Sequence, residues 1–159
     1  MIGRRGKVPD AVRALAPDER RLAWGLAADG TPLVATPTAL YAGSLRLPWT
    51  SVEKVVWRPP ALTVSEVADV EGSGPAHTWE LAQDSRLAET VRAQVTSSVA
   101  WSDRRALQPR GHVRLVGRRV PGEDRLLWQT VWEPGTDPSD PALRAQAEAQ
   151  LVGLRKTIG

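Results

Sequence analysis

The chain has no cysteine and no phenylalanine, and only two histidines in 159 residues. Without cysteine there is no disulfide, no thiolate-bound metal and no cysteine nucleophile. His77 and His112 stand far apart, each alone on a predicted strand, so no metal site is expected. Glu66, Asp69 and Glu71 border a Gly72-Ser73-Gly74-Pro75 stretch but lack the ordered spacing of a calcium loop, and read as a solvated turn. Neither a Gly-x-Ser-x-Gly elbow nor a Gly-x-x-x-x-Gly-Lys loop occurs, so no hydrolase nucleophile or phosphate cradle is signalled. No cofactor is called for, and an enzyme, with no named residue behind it, ranks as the third reading. Nowhere do about 18 apolar residues run together, as a membrane helix requires. The basic start, Met1 to Pro9, leads into no apolar stretch of leader length, so a cytoplasmic protein is expected.

What is present fits a globular domain. Hydrophobic residues make up 42% and charged residues 25%, against the high charge and low hydrophobicity of a disordered chain. A single domain of this length buries roughly 70% of the surface its unfolded chain exposes, so it needs no metal or cross-link to hold it. Arginine outnumbers lysine 18 to 3, which with abundant alanine, glycine and proline reads first as the composition of a GC-rich bacterial genome.

Turn chemistry divides the chain. Residues 8 to 16 suit a short helix, with Pro9 in its first turn. Strands are expected at 21–27, 32–35, 39–42, 45–48, 52–57 and 61–67. Asp29-Gly30 and Gly43-Ser44 supply turns, and Pro59-Pro60 stops the fifth strand. A strand at 77–81 precedes a helix capped by Asp84-Ser85, with Leu87, Val91 and Val95 on one face and an end near Thr96. Three further strands follow at 99–107, 112–120 and 126–133. The closing helix takes Asp140 as cap, Pro141 as first residue and Ala147, Leu151, Leu154 and Ile158 as its apolar stripe. Strands and helices do not alternate, so the expectation is one α+β domain built on a curved antiparallel sheet.

Residues 19 to 96 resemble the PH-like and GRAM-like domains of bacteria. The resemblance rests on Glu19-Arg20-Arg21-Leu22-Ala23-Trp24, on Leu33 to Tyr41, and on Leu47-Pro48-Trp49-Thr50-Ser51-Val52-Glu53-Lys54-Val55. It implies a partial barrel closed by the helix that follows the last strand, and a module that binds peptides, proteins or lipid head groups. Residues 97 to 159 would add a β-β-β-α part to the same domain. The basic hairpin used by lipid-binding members has no counterpart at the short Asp29-Gly30 turn.

Two features outside the resemblance suggest binding. Trp128 and Trp132 share one face of a strand with Leu126 and Thr130, while Leu127 and Val131 make the other face apolar too. That strand is either buried on both sides, with the closing helix as one cover, or it meets a partner. The Trp128/Trp132 face is therefore a candidate homodimer or protein interface. The charge is also uneven. Arg104, Arg105, Arg110, Arg114, Arg118, Arg119 and Arg125 stand against Asp103, Glu123 and Asp124, and all the chain's positive excess lies there. Arg104, Arg105, Arg114, Arg118 and Arg119 could line an anion-binding hairpin for nucleic acid or lipid head groups. The preferred reading is an ordinary solvated sheet face, where Arg114 and Arg118 alternate with Val113 and Leu115. A protein-binding, self-associating module is the first reading, and the anionic-surface binder is the runner-up.

Overall fold

The computed structural model describes residues 8–67, 74–82 and 86–158, with the Ile158 side chain left aside. The Asp84-Ser85 cap and most of the glycine-rich stretch, with Asp69 and Glu71, lie outside the described residues. The fold is α+β, with three antiparallel sheets and a C-terminal helix.

A short helix α1 (Asp10–Arg13) drops the buried Val12 onto the first sheet. That sheet is a four-strand meander of β1 (Ala23–Leu26), β2 (Pro32–Ala35), β3 (Ala39–Ala42) and β4 (Leu45–Pro48). Its first turn forms because Gly30 adopts φ +92° and the Asp29 carboxylate accepts the Thr31 N–H at 2.9 Å.

Pro48 has no N–H to extend the ladder, and a 3-10 turn, Trp49–Ser51, follows it. Trp49 is buried there, donating Nε1–H to the Thr36 carbonyl at 2.8 Å. The chain leaves the turn in a new sheet of β5 (Val52–Arg58), β6 (Ala61–Glu66) and β7 (Ala76–Glu80). One continuous curved sheet was expected; the break after Pro48 divides it into two, and they do not close into a barrel.

Helix α2 (Arg86–Ser98) packs against β1, β2, β5 and the 3-10 turn. Leu87, Ala88, Val91 and Val95 thereby join Leu33, Leu40, Leu62 and Val64 in one apolar core. The helix runs two residues past the expected Thr96, because the buried Ser98 hydroxyl bonds the Val95 carbonyl at 2.7 Å and completes the last turn.

The remaining chain forms a second meander, β8 (Val99–Ala106), β9 (His112–Arg119) and β10 (Leu126–Trp132), with β9 central. Helix α3 (Pro141–Ile158) covers one face. Asp140 caps it as expected, its Oδ1 accepting the Ala142 N–H at 2.9 Å and the Leu143 N–H at 3.4 Å. Val113, Leu115, Trp128, Leu143, Ala147, Leu151 and Leu154 form a core distinct from the first.

Candidate functional site

Strand alternation decides where the arginines go. On β9, Val113 and Leu115 face α3, so Arg114 and Arg118 face the other way. Register pairs Arg104 with Arg114, but pairs Arg105 with Val113 on the α3 side. The five residues are thus divided between two faces, and each donates within the chain.

Arg105 donates to Asp103 at 2.6 Å and to Gln150 of α3 at 2.9 Å. Arg119 donates to the Ser97 carbonyl at 2.7 Å, closing the C-terminus of α2. Arg104 grips both oxygens of Glu133 at 2.8 and 3.0 Å. That contact holds the Glu133 carboxyl below its ordinary range, helped by the charges of Arg104, His112 and Arg114. Arg114 donates to the Ser102 hydroxyl at 3.1 Å and is exposed.

Arg118 is only 3% exposed. Its Nε donates to Gln129 at 2.9 Å and its Nη1 to Ser98 at 2.7 Å, while Gln129 in turn donates to the Thr50 carbonyl. Burial works against its charged form, and the field of Glu53 works for it. One guanidinium therefore ties β9 and β10 to the end of α2 and, through Gln129, to the 3-10 turn. These five arginines therefore form no cluster of unengaged cations.

The tryptophan face is covered from within. Trp128 lies under α3, edge-on to Trp101 with ring centres 5.8 Å apart, and half-buried Trp132 packs at the margin of the same core. Gly117 makes this packing fit, since a Cβ there would sit 3.0 Å from the Trp128 ring. The buried Trp128 Nε1–H has no hydrogen-bond partner among the described residues. Across the strand Leu127 is exposed, and Gln129 is the residue that reaches the first part of the molecule.

Two polar groupings were not legible from spacing. His77, read as standing alone, has its Nε2 2.6 Å from Glu66 Oε2 and stacks on Trp79. The register that pairs His77 with Val64 is what brings Glu66 close. Glu19 accepts hydroxyl hydrogen bonds from Thr36 at 2.9 Å, from Thr38 and from Tyr41, and Arg46 lies over the Tyr41 ring. Partial burial pushes the Glu19 carboxyl up, but the three hydroxyls and the Arg46 charge outweigh it, so the group titrates below its ordinary range. With its three hydroxyls all turned to Glu19, this cluster reads as a clasp for the segment entering β1. Among the described residues no group of three acidic or histidine side chains is arranged to hold a metal.

The surface left over is at β1. An open groove of about 630 Å³ runs beside this strand, lined by Leu22 to Leu26, by Leu81 and Ala82 after β7, and by Arg86 and Thr90 of α2. Leu26 is 45% exposed, the largest value among the exposed large apolar side chains of the described residues. The strand expected at 21–27 forms as the shorter Ala23–Leu26, a segment with no charge of its own at what proves to be a sheet edge.

No protein-family model matches this chain, and no curated protein or solved structure is significantly similar to it.

Proposed function

We propose that the chain is a non-enzymatic protein-interaction module of the cytoplasm, and that it meets its partner along β1. The observation that carries this reading is the apolar groove beside an uncharged edge strand, on which Leu26 is exposed. A sheet edge of this kind is a template for association unless charge, proline or a covering element blunts it, and Ala23–Leu26 has none of the first two. The order of elements supports a PH-like assignment for residues 19 to 96: a four-strand meander, a three-strand meander, then a helix packed on both. The partner is a second copy of the chain or a different protein. The anionic-surface reading loses support, because its five arginines are split between two faces and engaged with partners inside the chain.

The test places a photo-crosslinking residue at position 26 and, as control, at the exposed Ala93 of α2, in cells that make the protein. A discrete protein adduct from position 26 alone is expected, and its mass separates a second copy from another protein. Equal yields of adduct at both positions, or none at 26, would contradict the reading.

A further inference from the structure

The direction of the main-chain groups on β1 defines how a partner would bind. Within the first sheet, the Gly43 N–H meets the Pro32 carbonyl and the Thr36 N–H meets the Ala39 carbonyl, both at 2.9 Å. Pro32, Val34 and Thr36 therefore bond toward β3, leaving Leu33 and Ala35 to bond toward β1. Their register partners are Gly25 and Ala23, and the Ala27 N–H to Thr31 carbonyl bond at 2.9 Å continues the same alternation. The N–H and C=O groups of Trp24 and Leu26 consequently point outward. At the next outward position the Ala28 N–H reaches the Glu80 carbonyl at 2.9 Å, so the edge is already paired at its end and opens from there.

The walls of the opening fit an extended chain. On the α2 side stand Leu81, Ala82 and Thr90, with Arg86 the one charged side chain among the described residues lining the groove. Gly25 has no side chain to fill it; a Cβ there would already be 3.3 Å from Leu87. Trp24 and Leu26 lie on the opposite face of the strand from Gly25.

We propose that β1 takes up an extended acidic peptide segment of another protein as an added strand. This rests on the interaction-module reading and names the class of partner. Main-chain bonds at Trp24 and Leu26 supply affinity that ignores sequence, and the groove reads every second side chain. Apolar side chains meet Leu81 and Ala82, and a carboxylate meets Arg86. A second copy offering its own Ala23–Leu26 would pair the same way but carries no acid to answer Arg86.

The test uses the full chain and short synthetic peptides of alternating valine and threonine, one with a central glutamate and a twin with lysine, followed by fluorescence anisotropy. The glutamate peptide should bind about three-fold or more tighter than its twin, the size of a partly exposed charge pair. Arg86→Glu should reverse that order. N-methylation of the amides on one edge of the peptide should abolish binding, while methylation of the other edge should leave it. Equal binding of the two peptides, or an unchanged order with Arg86→Glu, overturns the acidic preference and leaves the module reading intact. Equal effects of the two methylation patterns, or no binding by either peptide, overturn strand addition. The crosslink at position 26 then decides separately whether the surface binds protein at all.

Discussion

Arg118 holds a charge where water scarcely reaches, and it does so without a bonded carboxylate. Its stabilisation comes from the amide of Gln129, the hydroxyl of Ser98 and the more distant charge of Glu53. Replacing it with alanine strips the buried Ser98 hydroxyl and the half-buried Gln129 amide of their donor and opens a void, so Arg118→Ala should cost about 2–3 kcal/mol in urea unfolding. A loss under about 0.5 kcal/mol would show that water reaches the site. Gly117 sets a second constraint. Because a Cβ would press on the Trp128 ring, Gly117→Ala should cost about 1–3 kcal/mol and change the near-ultraviolet tryptophan signal. An unchanged spectrum and stability would mean that the ring moves without penalty. Glu19 acts through pH. Its pKa is lower folded than unfolded, so its contribution is complete above the unfolded value and disappears as pH falls through the folded one. The stability difference between the natural chain and Glu19→Gln should therefore shrink as pH falls from neutrality into the acid range. A difference independent of pH would contradict the hydroxyl clasp.

At the scale of elements, local chemistry made most of the fold legible. Asp29-Gly30 marks the first hairpin, Pro59-Pro60 the end of β5, and Asp140-Pro141 the start of α3, each by a mechanism confined to a few residues. The strands Pro32–Ala35, Ala39–Ala42 and Leu45–Pro48 lie where turn residues bracket them. What spacing could not show was pairing between distant strands. The alternation of Arg114 and Arg118 with Val113 and Leu115 was visible, but that Arg118 would be buried depends on Gln129 and Ser98 arriving beside it. The edge position of β1 was hidden for the same reason, since an edge is defined by which neighbour is missing. Helix α3 offers a direct check at this scale. Because Leu151 is buried against the second core, Leu151→Ala should cost about 2–4 kcal/mol and expose Trp128 to fluorescence quenchers. Unaltered quenching would mean that something else covers the tryptophan face.

The whole molecule joins two apolar cores through a polar seam. The first core is shared by two sheets and α2; the second lies between the C-terminal meander and α3. The seam runs through Ser98, Arg118, Gln129 and Thr50, so the two cores are held by hydrogen bonds that require an exact distance between them. This arrangement leaves β1 on the far side of the first sheet from β4, and none of the described residues lining its groove belongs to the second core. If an apolar surface dominates association, the light-scattering mass should stay the same from low to high salt. A mass that falls steeply with salt would return weight to the arginines. The central claim, that β1 is an open edge, is tested most directly by amide hydrogen exchange of the chain alone. The Gly25 amide, turned toward Leu33, should be protected, while those of Trp24 and Leu26 should exchange rapidly. Equal, strong protection at all three would mean that the edge is already filled, and would contradict the account.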